Sequence, residues 1–451
     1  MELQGKRVLV VGAGKSGVSV TRFLLRKGAE VTLTDSRTRD KFNGELDALL
    51  HAGVRGELGN YPEIGPGSFD LVVVSPGVPP GVPPVAAARR AGVPVTGELE
   101  LAYRFARAPV VAITGTNGKT TTTALVGEIF RAAGYRTLVG GNIGLPLVDA
   151  VEEYGPGDVI VAEVSSFQLE TADRFRPRVA VITNITPDHL DRHGDMECYT
   201  AAKARVFARQ GRGDFTVLNY DDPRTRALAQ TVPGKVIFFS RRHILKEGVF
   251  VRDSRIVARL DDGETGILAA GEVAIPGAHN LENALAATAA ARVMGVEPAV
   301  IARTLKTFAG VAHRLETVAE INGVKYVNDS KGTNPEASMK ALEAFDQPII
   351  LLAGGRNKGS DFTEFARLVR EKVRVLVVLG ESAGEIEQAA RRAGCTEILR
   401  APDFREAVLM AHRCARSGDV VLLSPACASW DMFKSYEERG DLFREIVNSL
   451  K

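Results

Sequence analysis

Residues 109–121 read Pro-Val-Val-Ala-Ile-Thr-Gly115-Thr-Asn-Gly118-Lys119-Thr120-Thr121 and run into a helical apolar pattern that ends at Gly134. An apolar run, a glycine turn and a helix start in that order predict a strand, a phosphate loop and a helix. Gly115 and Gly118 let successive backbone N–H groups of Thr116, Asn117, Lys119, Thr120 and Thr121 close on an anion. Lys119 adds a point charge between two phosphates, and the Thr120 hydroxyl is placed to ligate magnesium. The longer form of such a loop has glycine at position 113, where Ile113 stands, so this is the shorter variant. The plainer reading is a glycine turn between a strand and a helix.

A strand followed by a helix buries its apolar face only within a parallel sheet, and the rest of the chain repeats that alternation. Strand patterns at 7–11, 30–33 and 70–74, and again at 348–353, 373–379 and 419–423, are separated by helical stretches. The class is α/β. At 451 residues, with 45% hydrophobic side chains, the chain is long enough for about three domains. Pro/Gly-dense stretches at 61–67 and 75–84 precede the new strand near Pro109, and a polar segment follows Gly310. The expected domains are 1–98, 99–310 and 311–451, the first and last resembling dinucleotide-binding folds. A β-rich excursion with an Asp262-Gly263 turn is expected between 235 and 273. The 57 basic and 55 acidic side chains leave a net charge of +2, which provides no bulk field for nucleic acid or anionic lipid. The cysteines at 198, 395, 414 and 427 have no metal-ligand spacing and read as reduced thiols. No apolar run approaches the length of a membrane span, so a soluble, cytoplasmic protein is expected.

Gly12-Ala-Gly14-Lys15-Ser16-Gly17 follows the first strand, and Asp35 ends the second. That spacing delivers a diphosphate to a helix N-terminus and a carboxylate to a sugar or base, which suits any nucleotide diphosphate as well as a dinucleotide. Arg37 either opposes a phosphate or is a solvated surface arginine. Glu163 ends an apolar strand, where a carboxylate needs compensation such as magnesium, and His189 follows the apolar stretch 179–183 in the same manner. Lys203, in the helical stretch 199–207, reads from residue type alone as a surface lysine. A neutral amine there could instead add carbon dioxide to give an anionic carbamate. Asn280 and Asn283 share a helix face at a spacing of three, one more amide than capping requires. Asn328-Asp329-Ser-Lys331-Gly-Thr333 places an acid, a lysine and hydroxyls in a loop after a strand.

Together, Gly-Thr-Asn-Gly-Lys-Thr-Thr, Gly-Gly-Asn142-Ile-Gly, Glu163-Val-Ser-Ser-Phe-Gln-Leu-Glu, Asp188-His189-Leu-Asp-Arg, Gly-Ala-His-Asn280-Leu-Glu-Asn283, His313-Arg314-Leu-Glu and Asn-Asp329-Ser-Lys331 closely resemble the bacterial Mur ligase family over nearly the whole chain. Ser165-Ser-Phe-Gln-Leu-Glu170 and Ser424-Pro-Ala-Cys-Ala-Ser429 resemble its glutamate-adding branch. The resemblance implies an ATP-dependent monomer that joins D-glutamate to UDP-N-acetylmuramoyl-L-alanine through an acyl phosphate, for peptidoglycan precursors. It implies that Gly14, Lys15, Ser16, Asp35, Arg37, Gly77 and Asn142 hold the UDP substrate. Lys119 and Thr120 would serve the phosphates and magnesium, with Glu163, His189 and, once carbamylated, Lys203 at the magnesium sites. Asn280, Asn283, Arg314, Asp329 and Lys331 would line the ATP, and Thr333, Lys358, Ser429 and Tyr436 would receive D-glutamate. Tyr436 stands where phenylalanine is familiar and Trp430 where leucine is. Two other enzymes remain conceivable: a folylpolyglutamate-type ligase, which leaves the first glycine turn without purpose, and an NAD-linked oxidoreductase, which leaves Gly115 to Thr121 idle.

Overall fold

The computed structural model describes residues 1–42, 44–357 and 359–450. Three sheets follow one another along the chain. The first contains β1 (Arg7–Val11), β2 (Glu30–Asp35), β3 (Arg55–Leu58), β4 (Leu71–Val74) and β5 (Val95–Gly97), all parallel, in the order β3-β2-β1-β4-β5. The chain reverses its direction of winding between β1 and β4. The Gly12–Gly17 turn after β1 and the proline-rich loop after β4 therefore flank the crevice where parallel sheets bind ligands. A side chain at Gly17 would lie 1.8 Å from the Gly12 carbonyl, so only glycine permits this helix to start so close to the strand.

The central sheet is built from β6 (Val110–Thr114), β7 (Thr137–Gly141), β8 (Val159–Glu163), β9 (Val179–Ile182), β10 (Phe215–Asn219), β11 (Lys235–Ser240), β12 (Gly248–Arg252), β13 (Arg255–Leu260) and β14 (Gly263–Ala269). Its order is β14-β13-β12-β11-β10-β9-β6-β8-β7. The strands β6, β8 and β9 are buried along their whole length. Each Val or Ile so buried contributes about 1.5–3 kcal/mol. The expected β-rich excursion exists and extends this sheet: β12 pairs parallel with β11, and β13 and β14 continue it antiparallel. The phosphate-loop helix runs Lys119–Ala132, and Lys203 lies on the helix Met196–Ala204.

The third sheet comprises β15 (Glu316–Ile321), β16 (Val324–Asn328), β17 (Ile349–Gly354), β18 (Val373–Leu379), β19 (Ile398–Arg400) and β20 (Val420–Leu423), ordered β15-β16-β20-β17-β18-β19 and parallel except for β15. Two compact units contain the three sheets: Met1–Ala270 with Glu282–Leu305, and Gly271–Leu281 with Lys306–Lys451. Among the described residues no helix is long and apolar enough to cross a membrane.

Candidate active site

In the first unit β8 and β9 flank β6, so the loops that follow these three strands emerge along one edge. Gly115 has φ 143° and Gly118 φ 82°, and a Cβ on either would come within 2.0 Å of Thr183 Oγ1 or 2.2 Å of Asn283 Oδ1. The two glycines are thus required both by backbone conformation and by neighbours. The turn is pinned from the segment after β9: Thr116 N donates to the Asn184 carbonyl at 2.9 Å, Asn117 N donates to Asn184 Oδ1 at 2.9 Å, and Thr183 Oγ1 donates to the Asn117 carbonyl at 2.6 Å. Lys119 Nζ folds back on its own loop, donating to the carbonyls of Gly115 (3.0 Å) and Thr116 (2.7 Å). Thr120 and Thr121 are buried at the helix start, and the buried Asn283 accepts from Thr122 Oγ1 at 3.2 Å.

Lys203 departs from what its residue type suggests. It is 2% exposed, and its Nζ donates to the Gly115 carbonyl at 2.7 Å beneath the phosphate loop. Tyr199 supplies the wall, its ring centroid 4.5 Å from Nζ. Burial, then the like charge of Lys119, holds this amine well below the ordinary lysine range, with Asp188 opposing. Lys203 is thus not a surface lysine, and the same burial favours the uncharged, nucleophilic form of its amine over the cation.

Glu163, 1% exposed at the end of β8, accepts from Asn142 Nδ2 through Oε1 at 2.8 Å. Its Oε2 is buried and has no hydrogen-bond partner among the described residues. An unmatched carboxylate oxygen beside a phosphate loop suits a hard cation. His189 is half exposed, with φ 52°, at the cap of the short helix Leu190–His193, and its ring packs against Phe167 at 4.9 Å between centroids. Among the described residues no group of three or more His, Cys, Asp or Glu gathers as a self-sufficient metal cage. Magnesium does not need one, because it binds through one or two protein groups plus phosphate oxygens and water.

A cleft of about 640 Å³ opens beside this edge. Gly14, Lys15, Ser16, Asp35, Arg37, Gly77 and Asn142 all line it, so the structure gathers the whole expected UDP set. Asp35 is already engaged: it accepts from Ala13 N at 2.8 Å, from Arg37 N at 2.9 Å, and from Arg37 Nε and Nη2 at 3.0 Å each. Burial alone would raise its pKa, but Arg37 and the two backbone donors hold it below the usual range. Its carboxylate therefore shapes the turn and orients Arg37. Gln168 and Tyr61 also line the cleft and were not singled out from sequence. Gln168 had a signal, five residues beyond Glu163 in a quoted motif, whereas Tyr61 lay in a stretch legible only as a breaker.

In the second unit, Asp329 and Lys331 follow β16 and Ser429 follows the neighbouring β20. Asp329 accepts from Ser424 Oγ at 2.7 Å and Leu315 N at 3.3 Å, and burial, against those bonds and Arg314, raises its pKa to about 6. Lys331 Nζ lies 5.5 Å from the centre of the Tyr436 ring. Arg439, 1% exposed, ties the two loops together by donating to Ser330 Oγ (2.9 Å) and to the Ser330 and Cys427 carbonyls. Burial lowers its pKa to about 10. Thr333 is half-buried and Ser429 buried, while Lys358 lies outside the described residues. Asn280 donates to the Pro276 carbonyl at 2.6 Å, within the part of its helix that belongs to this unit.

Three family profiles match the chain: the Mur ligase MurD-like N-terminal domain at 6–97, the Mur ligase middle domain at 113–291 and the Mur ligase glutamate ligase domain at 313–427. A curated relative from Pelotomaculum thermopropionicum, named UDP-N-acetylmuramoylalanine--D-glutamate ligase, is 65% identical over 99% of this chain and 98% of its own. Two solved structures share the fold. The UDP-N-acetylmuramate-alanine ligase MurC from Thermotoga maritima has a TM-score of 0.61 and 21% identity, covering 99% of this chain and 100% of its own. The MurF ligase of the same organism, solved in complex with ADP, has a TM-score of 0.59 and 19% identity, covering 100% and 97%. A 65% likeness along the full length, with family models matching in three successive segments, leaves one assignment: this chain belongs to the Mur ligase family.

Proposed function

We propose that the chain is an ATP-dependent ligase that adds D-glutamate to UDP-N-acetylmuramoyl-L-alanine, a step of peptidoglycan precursor synthesis. The 65% identical relative bears the name of that activity. One observation carries the mechanism: Asn142, on the wall of the nucleotide cleft, donates to Glu163 beside the phosphate loop. A substrate lying in the cleft thereby delivers its far, acidic end to the place where a terminal phosphate sits. Neither alternative ligand, a pterin or a nicotinamide, uses both sites.

In this reading the alanine carboxylate attacks the γ-phosphorus of ATP, ADP leaves, and an acyl phosphate forms. Lys119 and the loop amides offset charge on the transferred phosphoryl oxygens, which is a task of position and electrostatics. The uncharged amine of D-glutamate then attacks the acyl carbon; the tetrahedral species loses a proton and expels phosphate, leaving the amide. Magnesium, when bound, neutralises phosphate charge. Thr120, Glu163 and His189 would hold it, and the partnerless Glu163 Oε2 fits that role. Lys203, as a carbamate, would place a negative charge beneath the loop and orient Lys119, both amines now sharing the Gly115 carbonyl. Asn280, Asn283, Arg314, Asp329 and Lys331 serve the nucleotide, and Thr333, Lys358, Ser429 and Tyr436 the incoming amino acid. The functional divisions fall at 98 and 310, and the enzyme acts on small molecules as a cytoplasmic monomer. Phosphate release with UDP-N-acetylmuramoyl-L-alanine, ATP and a panel of D- and L-amino acids tests this. Release is expected with D-glutamate; a preference for any L-amino acid, or release without the UDP compound, refutes it.

A further inference from the structure

Arg192 sits three residues beyond His189 and makes contacts in two directions. Its Nε and Nη2 grip Glu170 at 3.3 and 2.7 Å, a fork on a carboxylate. The same guanidinium donates through Nη1 to the Pro76 carbonyl at 3.0 Å and through Nη2 to the Val78 carbonyl at 3.3 Å. Pro76 and Val78 belong to the loop after β4 that walls the nucleotide cleft. The guanidinium carbon also stands 4.0 Å above the centre of the Phe167 ring, and that ring packs against His189 at 4.9 Å and His193 at 5.5 Å. Arg192 is 15% and Glu170 20% exposed at the side chain, so solvent screens these contacts little. A guanidinium satisfies four acceptors in a plane and stacks at once; an ammonium cannot do both.

We infer that Arg192 is a positioning residue that couples the two ligand sites of the first unit. It ties the cleft loop at 76–78 to the Phe167 platform on which His189 rests. When the UDP compound fixes that loop, the guanidinium fixes Phe167 and hence His189, so nucleotide meets a better-formed site. By reciprocity nucleotide tightens the UDP compound equally. This rests on the function proposed above, and it assigns the coupling to one side chain.

Calorimetry on the full chain tests it, reading the affinity for UDP-N-acetylmuramoyl-L-alanine with and without ADP and magnesium. Wild type is expected to gain about five-fold or more from ADP. In Arg192→Lys and Arg192→Ala the gain falls to about one-fold, and added guanidinium restores part of it in the alanine variant. Should Arg192→Ala fail to fold by circular dichroism, Glu170→Gln, which weakens the fork and keeps the arginine, carries the same expectation. A full gain persisting in a folded Arg192 variant overturns the inference, as does a wild type that binds both ligands independently. A wild type that does not bind the UDP compound at all overturns instead the function on which it rests.

Discussion

Lys203 Nζ and Lys119 Nζ both donate to the carbonyl of Gly115, so two amines converge on one oxygen under the loop that closes on phosphate. Two ammonium ions so close repel, and burial, then the like charge of Lys119, pushes the Lys203 pKa well below the ordinary lysine range. The proposed carbamylation would turn that repulsion into attraction without moving the backbone. Lys203→Ala is therefore expected to lower D-glutamate-dependent turnover by about 100-fold or more, the scale of losing one preorganised electrostatic group, and a short added carboxylate should recover part of it. Wild type supplied with ¹³C-bicarbonate should show a carbamate carbon resonance that the variant lacks; a spectrum without it would leave the amine unmodified and the proposal wrong. Sequence exposed the phosphate-loop glycines because a positive φ and a near neighbour leave no other residue type possible. It could not expose the burial of Lys203, because Tyr199 on the same helix supplies only one wall, and the Gly115 carbonyl that Nζ meets is 88 residues away.

The short helix Glu98–Tyr103 joins the first sheet to the second and is held by two buried carboxylates. Glu100 Oε2 accepts from the backbone N–H groups of Asp173, Arg174 and Phe175 at 2.9–3.0 Å, and its Oε1 pairs with Arg104. Glu98 accepts from Val148 N at 3.1 Å, while its Oε2 finds no partner among the described residues. Glu100 is fully matched and Glu98 is not, and burial raises the Glu98 pKa from 4.5 to about 7. The folded state therefore holds a proton that the unfolded state releases between those values, and stability falls as pH rises from 4.5 through 7. At 1.36 kcal/mol per unit the loss is up to about 3 kcal/mol. Glu98→Gln keeps an acceptor for Val148 and cannot ionise. Urea unfolding should find it close to wild type at pH 4.5 and more stable by about 2–3 kcal/mol at pH 8; equal stability at both values would mean that Glu98 ionises freely. Of the strands flanking this helix, β6 was legible as an apolar run before a turn, since parallel strands are buried on both faces, whereas the three-residue β5, Val-Thr-Gly, carries no such run. The staples were not, because each joins a carboxylate to backbone N–H groups 50 to 75 residues away.

At the scale of the molecule, three sheets are distributed over two compact units, and the helix Ala278–Val293 is shared between them, with Asn280 in the second unit and Asn283 in the first. Local pattern revealed the alternation of strands and helices, but which segments cohere depends on contacts between distant residues: Gly271–Leu281 belongs with Lys306–Lys451, where burial, Arg314 and Lys340 together push the His279 pKa down to about 4. The first unit carries its own straps between the two sheets it contains: Lys15 to the Gly144 carbonyl, Ser19 to Asp149 at 2.7 Å, Lys27 to Glu152, and Arg192 to the loop at 76–78. All seven residues expected to hold the UDP compound line a cleft in that unit, so binding that compound alone favours the folded state of that unit by mass action. At a free concentration 100 times its Kd the gain is about 2.7 kcal/mol. Amides of β6, β8 and β9 that exchange through unfolding of the unit should accordingly exchange about 100-fold more slowly. Those of β17, β18 and β20, in the second unit, should be unchanged in the absence of nucleotide. Hydrogen-exchange mass spectrometry on the full chain reads both sets in one experiment. Equal protection of the two sets would show that they unfold as one body, and protection confined to β17, β18 and β20 would move the UDP compound out of the cleft.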